Sequence, residues 1–476
     1  MHTPTAAASS PLRAAEPSFA DLGVAPNLVT TLAQRGVVTP FPIQAATLRD
    51  SLAGRDVLGR GRTGSGKTVA FALPTVTALK ASARRAQPGR PRSLVLVPTR
   101  ELARQVAETM IPLAAANKLR VATVFGGVNQ HSQVQNLRRG VDILVACPGR
   151  LEDLIGQGHC HLDAVEVTVL DEADHMADLG FLPGVKRLLD ETPRGTQRLL
   201  FSATLDNGVD IIVKRYLHNP ATHSVDDVNG APPDMTHHVL EVTSDVKGSV
   251  VRELASGHGR ALLFTRTKHG AKKLARQLTA AGVPAVDLHG NLSQPMRQKN
   301  LAAFTAGTVR VLVATDIAAR GIHVDDIALV VHVDPPTEPK AYLHRSGRTA
   351  RAGSAGDVVT ISTPDQARDV RTLARQAGIK PTVTPVKPGD ERILALTGPH
   401  APLVTAPPEL PEPRNDGRGR PPKPGNHRRK PSAPSSTSAS GPKAPFRPRT
   451  QKRVSTEGSG RQGRRPTGAG RGRRAG

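Results

Sequence analysis

Only two cysteines, Cys147 and Cys160, occur in the 476 residues. That excludes a disulfide framework and a cysteine-based zinc site, and a reducing cytosol is the simplest setting. His159 and His161 flank Cys160, but without a second ligand pair they read as a polar loop. No apolar run approaches the ~18 residues that span a bilayer. Residues 1–17 are mostly Ala, Ser, Thr and Pro and lack the apolar centre of a signal peptide. The chain therefore reads as soluble and cytoplasmic, with no membrane partner, and as a monomer. Acidic residues are the scarce charge: 40 Asp and Glu against 65 Lys and Arg leave a formal +25. Such an excess favours a polyanionic partner, although a solvated basic tail on an ordinary enzyme would also produce it.

What is present begins with Gly61 to Thr68, which fits the phosphate-loop pattern G-x-x-x-x-G-K-[ST]. Gly61, Arg62, Thr63, Gly64, Ser65 and Gly66 supply backbone N–H groups that can curl around a polyphosphate. Lys67 neutralises its β/γ oxygens and the Thr68 hydroxyl can reach Mg²⁺. Asp56-Val57-Leu58 can form a strand before the loop, and Thr68–Leu73 a helix after it, aiming its N-terminal dipole at the phosphates. Alone, the pattern could be a glycine-rich turn. The other half of a nucleotide site lies at Val165–Asp174, an apolar strand ending in Asp171-Glu172-Ala173-Asp174. Asp171 would hold Mg²⁺ through water, and Glu172 would orient and deprotonate an attacking water. Acidic residues also cap helices after strands, so the upstream loop decides in favour of hydrolysis.

Between and beyond these motifs, short apolar runs alternate with helical stretches. The expected strands are Ser93–Val97, Val121–Phe125, Asp142–Val145, Val165–Leu170 and Arg198–Phe201. A second series is His238–Val242, Ala261–Phe264, Ala285–Leu288, Val309–Ala314, Ile327–His332 and Asp357–Ser362. Runs apolar on both faces suit buried parallel sheets. The pattern predicts an α/β protein of two parallel-sheet units in tandem, although no sequence repeat joins the halves. The expected divisions are a leader at 1–17, a first domain at 18–222, a linker at 223–236, a second domain at 237–378, and a mostly disordered basic tail at 379–476. From Pro407 onward that tail is Pro, Gly, Ser, Arg and Lys with Phe446 its only aromatic, too apolar-poor to fold.

The ordered set of motifs resembles the DEAD-box RNA helicases, whose name is the Asp171–Asp174 tetrad, over roughly Phe19 to Ser362. Pro42-Ile43-Gln44 matches the adenine-reading element, with Gln44 implied as the adenine contact. Elements implied to hold the RNA backbone are Pro98-Thr99-Arg100-Glu101, Gly126-Gly127, Pro148-Gly149-Arg150, Thr265-Arg266 and Thr315. Ser202 and Thr204 of Ser202-Ala203-Thr204, with His344, match positions that couple hydrolysis to strand separation. Asp316, Gly321 and His323 are implied at the nucleotide, and Arg348 and Arg351 as arginine fingers. Three apart on one face of an expected helix, they could reach a γ-phosphate from the second domain. The resemblance implies an α/β fold of two tandem RecA-like parallel-sheet domains, ATP and Mg²⁺ as cofactors, and RNA as a largely sequence-independent partner. It is most similar to the bacterial RNA-helicase-E branch, and the tail could tether ribosomes or ribonucleoprotein assemblies.

Three positions depart from the pattern. Cys147 stands where the family usually has Thr. Val37 follows Gly36 where an aromatic is usual; Phe41 could compensate or pack in the core, to which it is assigned here, and Phe19 matches the isolated upstream aromatic. His323 replaces the Asp implied to accept a ribose hydroxyl, and neutral His can still accept one bond.

Overall fold

The computed structural model describes residues 17–404, apart from 62–63, 83, 206–207, 226–234, 320–323, 325 and 351–354. The strands of the first lobe are β1 (Val57–Arg60), β2 (Ser93–Leu96), β3 (Val121–Val124), β4 (Ile143–Ala146), β5 (Val167–Asp171), β6 (Gln197–Ser202) and β7 (Ala221–Ser224). They form one sheet in the order β3-β4-β2-β5-β6-β1-β7, and the neighbouring pairs run parallel. Side chains of period two feed two cores. Val95, Val167, Val169, Leu199 and Phe201 face one cluster with Phe71 and Met110; Leu94, Leu96, Leu170 and Leu200 face the other with Leu151 and Leu188. A sheet buried on both faces must read as a continuous apolar run, which is why these strands were visible in the sequence.

The second lobe holds β8 (Met235–Glu241), β9 (Arg260–Phe264), β10 (Ala285–Leu288), β11 (Val311–Ala314), β12 (Ile327–His332), β13 (Gly356–Ser362) and β14 (Thr382–Pro385). Its order is β10-β11-β9-β12-β13-β8-β14, again with parallel neighbours. Counted from the first strand of each lobe, the two orders are identical. The halves are thus one topology used twice, which their side chains do not reveal.

The folded chain continues past Gly378, where the apolar pattern fades and a tail was expected to start. Strand β14 pairs with β8, and the helix Glu391–Thr397 buries Ile393. Val386 and Ala401 are also buried. The extra turn of fold rests on isolated apolar residues rather than a run.

Strand order decides what meets what. Because β5, β6 and β1 are neighbours, their C-terminal ends lie side by side, with Asp171 opposite Phe201 and Ser202 opposite Arg60. Ligands of open α/β sheets bind at this edge. On the other half of the same edge, β3, β4 and β2 deliver Gly126, Cys147 and Pro98. Both lobes fall within one compact unit.

Candidate active site and nucleic-acid interface

The phosphate loop leaves β1 with the Gly61 N–H donating to Ser202 O (3.1 Å). Gly64 and Gly66 adopt φ of +87° and +88°, which side chains rarely tolerate. Gly66 has a second reason: a Cβ there would lie 2.5 Å from Gln44 Nε2. It caps the helix Lys67–Ala81, whose N-terminus therefore opens onto the loop. Lys67 is buried and its Nζ donates to Gly61 O (2.8 Å). Thr68, half-buried, follows it in the first helical turn. The Ser65 hydroxyl is buried with no partner among the described residues. An orphaned donor, a positive Nζ and glycine-shaped backbone fit a polyphosphate. Arg62 and Thr63 lie outside the described residues.

Asp171 and Glu172 are buried side by side where β5 ends. Glu172 takes a left-handed conformation (φ 51°, ψ 52°), which ends the strand sharply before the short helix Ala173–Asp178. Burial and the Glu172 charge push the Asp171 carboxyl up to about 7, against the pull of Lys67. Burial would also raise Glu172, but a hydrogen bond from His175 and the charges of Lys67 and Arg348 hold it well below the usual carboxylate range. So the pair shares its charge unequally, with the anion on Glu172. Thr68 and Asp171 offer the hard oxygen donors that Mg²⁺ takes beside phosphates and water. No group of three or more acidic, His or Cys side chains could hold a metal among the described residues, and burial pushes the Cys160 thiol up to about 12.

The fourth residue of the tetrad, Asp174, binds the next motif. Asp174 Oδ2 accepts from the Thr204 N–H (3.2 Å) and Oγ1 (3.3 Å), and Ser202 Oγ accepts from the Asp174 N–H (3.2 Å). Ser202 Oγ in turn donates to Thr204 O (2.6 Å). Any shift of the acidic turn is therefore felt at Ser202 and Thr204.

In the second lobe, the helix expected to carry Arg348 and Arg351 on one face ends earlier. It runs Pro339–Ser346 and is followed by a turn in which Arg348 N bonds Arg345 O and Ala350 has φ 52°. Arg348 thus lies beyond the end of the helix on which it was expected. Arg348 is buried and its charge acts on Glu172; Arg351, Gly321 and His323 lie outside the described residues. Asp316 uses both carboxylate oxygens on Arg345, at 2.5 and 2.8 Å. Arg345 also donates to Asp334 O and lies over the Phe264 ring. His344 is half-buried beside it.

One aromatic residue is placed opposite to expectation. Phe41, assigned to the core, is 49% exposed, while Phe19, matched to the isolated upstream aromatic, is 1% exposed in the core. Phe41 sits at the N-cap of the helix Pro42–Leu52, and extended backbone there turns its ring outward beside Gly66. Gln44 accepts from the Phe41 N–H (3.0 Å) and donates to Gly66 O (2.8 Å), tying the adenine element to the phosphate loop. Val37 packs partly buried against the core.

In the first lobe, the elements assigned to RNA lie close together. Thr99 follows the buried Pro98 and caps the helix Arg100–Ala115 through the Leu102 N–H. The Arg100 guanidinium lies over Gly127, whose φ of +76° and missing side chain make the space. Arg150 Nη1 donates to Val128 O (3.3 Å), and Gly149 faces open space. Desolvation of the half-buried Cys147 thiol pushes it up to about 12, so it stays neutral there. In the second lobe, Thr265 and Thr315 end the adjacent β9 and β11, and the Thr265 N–H bonds Ala314 O. Arg266 is exposed, with its N–H on Asp334.

Sequence reading missed the contacts that join the lobes. Glu101 Oε1 accepts from Arg297 Nε (2.8 Å) and Gln294 Nε2 (3.3 Å), while Gln294 Oε1 accepts from Arg100 (3.4 Å). Lys340 Nζ bonds Asp178 (3.0 Å). Gln294 and Arg297, three apart on the helix Gln294–Thr305, share one face; that spacing was the available signal.

Two family models match the chain, the DEAD/DEAH box helicase at residues 41–212 and the helicase conserved C-terminal domain at 246–353. The chain belongs to the DEAD-box helicases. Among its relatives, the ATP-dependent RNA helicase RhlB of Pseudomonas syringae is 37% identical over 76% of this chain and 93% of that protein. The mitochondrial DEAD-box ATP-dependent RNA helicase 9 of Arabidopsis thaliana is 38% identical over 76% of this chain. The chain spans only 60% of the latter's length and 50% of the chloroplastic helicase 3A of Zea mays. Among solved structures, S. cerevisiae Dbp5 bound to RNA and ADP BeF3 superposes with a TM-score of 0.69 at 28% identity, covering 80% of this chain and 99% of that one. These matches establish the family and the two-sheet fold; the narrower RNA-helicase-E placement stays an expectation from sequence.

Proposed function

We propose that the chain is an RNA-stimulated ATPase that clamps RNA across both lobes and separates short duplexes or remodels ribonucleoproteins. The observation that carries this reading is the composition of one buried site. Lys67 and the Asp171–Glu172 pair come from the first lobe, and Arg348 acts on Glu172 from the second. A site divided in this way works only when the lobes are together, and RNA held by both lobes favours that state.

The roles follow from chemistry and position. Loop N–H groups and Lys67 hold the phosphates, and Gln44 and Phe41 border the base. Mg²⁺, when bound beside Thr68 and Asp171, neutralises phosphate charge. Glu172, kept anionic, orients water for in-line attack and receives its proton, while Arg348 and Arg351 balance charge on the transferred group. Asp174, Ser202 and Thr204 transmit the state of this turn to the neighbouring β-strand end. Thr99, Arg100, Gly127, Gly149, Arg150, Thr265, Arg266 and Thr315 hold backbone phosphates rather than bases, so core binding tolerates any sequence. A cytoplasmic protein acting as a monomer is consistent with these roles; no helix of the described residues is long and apolar enough to cross a membrane.

Steady-state ATP hydrolysis with and without RNA tests the reading. Turnover should rise with RNA and fall at least about 100-fold in Glu172→Gln, the range of a lost general base. RNA-independent turnover, or an active Glu172→Gln, would refute it. Single-stranded DNA that stimulates equally would make the substrate nucleic acid in general. The basic clusters Arg428-Arg429-Lys430 and Arg471-Gly472-Arg473-Arg474 are assigned to salt-sensitive RNA affinity and attachment to ribonucleoproteins. Deleting 407–476 should weaken RNA binding at low salt and flatten its salt dependence; unchanged affinity removes the tail from this account.

A further inference from the structure

His175 directly follows the Asp171–Asp174 tetrad and none of the roles above uses it. It is buried in the short helix Ala173–Asp178, and its Nδ1 lies 3.1 Å from Glu172 Oε2. A carboxylate can only accept, so Nδ1 carries the proton and donates. The second ring nitrogen, Nε2, is buried with no hydrogen-bond partner among the described residues. Here the imidazole's one side-chain hydrogen bond goes to the residue assigned as general base.

Backbone and side chain act together on Glu172. Its left-handed φ and ψ fix where the side chain starts, and the bond to His175 fixes where the carboxylate ends. A free glutamate carboxylate has three rotatable bonds, and general-base catalysis depends on which oxygen faces the water. Resting on the ATPase reading, we propose that His175 is the positioning residue for Glu172. Its Nδ1–H pins Oε2 so that Oε1 alone faces the attacking water and takes its proton as the water oxygen bonds the γ-phosphorus and ADP leaves.

Two substitutions separate positioning from packing. His175→Leu keeps the bulk and removes the donor; His175→Asn keeps an N–H close to the place of Nδ1. RNA-stimulated kcat should fall about 10- to 100-fold in the Leu variant, the scale of a misplaced catalytic group. The KM for ATP and the thermal midpoint should stay near the parent's, and the Asn variant should recover most of the lost kcat. A Leu variant with parental kcat overturns the proposal, as does an equal loss of kcat and rise of KM that Asn does not rescue. Should the Leu variant fail to fold, His175→Gln, whose amide falls nearer the place of Nε2, takes its part: lowered kcat at unchanged KM supports positioning, and parental kcat overturns it. A parallel Glu172→Gln enzyme that turns over normally would instead locate the failure in the general-base assignment itself.

Discussion

Phe41, Gln44 and Gly66 form a small interlocked unit at the mouth of the nucleotide site. Gln44 bridges the helix start at Phe41 to the loop at Gly66, and the Phe41 ring lies against the same glycine. With Val37 standing where the family carries an aromatic, Phe41 is the exposed ring next to the loop. Base–aromatic stacking is worth about 1–3 kcal/mol, so Phe41→Ala should raise the KM for ATP at least about fivefold. The thermal midpoint should hardly move, because the ring is half exposed. An unchanged KM would return Phe41 to helix capping alone. The motif was legible as a string here, but the exposures of Phe19 and Phe41 were not. Spacing names a residue's neighbours in the chain, whereas exposure depends on which helix start turns the ring outward.

At the scale of elements, the central strands could be read because burial on both faces demands unbroken apolar runs. The edge strands β7 and β14 could not: each has four residues, largely exposed, with Thr, His, Ser and Pro among them. Backbone pairing to β1 and β8 makes them strands, and no side-chain pattern announces it. Central strand β12 carries a polar exception that can be tested. His332 is fully buried behind Arg345, stacks edge-on against Tyr342, and shares a hydrogen bond with Thr360 (3.1 Å). Burial first, then the charges of Arg345 and His237, drive its imidazole well below the usual histidine range. Folded His332 therefore stays neutral where the unfolded chain would take a proton. The unfolded state binds more protons below the ordinary histidine value of about 6.5, so stability drops as pH falls beneath it, by up to about 1.4 kcal/mol per pH unit. Thermal midpoints from pH 7.5 to 5.5 should decline below pH 6.5, and His332→Gln should flatten that limb. A decline of the same slope in His332→Gln would assign it to other groups.

Across the whole molecule, one strand order occurs twice and the two copies do different work. Each sheet places loops at the C-terminal ends of its strands, so each lobe presents short basic and hydroxyl-bearing turns to a shared edge. Only the first lobe added the phosphate loop and the acidic pair, and only the second added Arg348. Sequence motifs showed both sets because catalytic loops need particular residues at fixed spacing. The contacts that make them one site were not legible, because Glu101–Arg297 and Asp178–Lys340 join residues far apart in the chain. Glu101 and Arg297 are each about nine-tenths buried. Burial would raise the Glu101 carboxyl, but its bonds to Arg297 hold it below the usual range, so the pair stays ionised at neutral pH. Removing one partner of a buried pair costs about 3–5 kcal/mol. In Arg297→Ala that cost falls on the joined state of the lobes, since each lobe has its own core. RNA-stimulated kcat should therefore drop at least about tenfold, while ATP binding by the first lobe persists and each lobe remains folded. Glu101→Gln, which keeps an acceptor and removes the charge, should lose less. If Arg297→Ala hydrolyses ATP with parental RNA stimulation, the pair is a static packing contact, and closure must be governed by Asp178–Lys340 and the bound RNA instead.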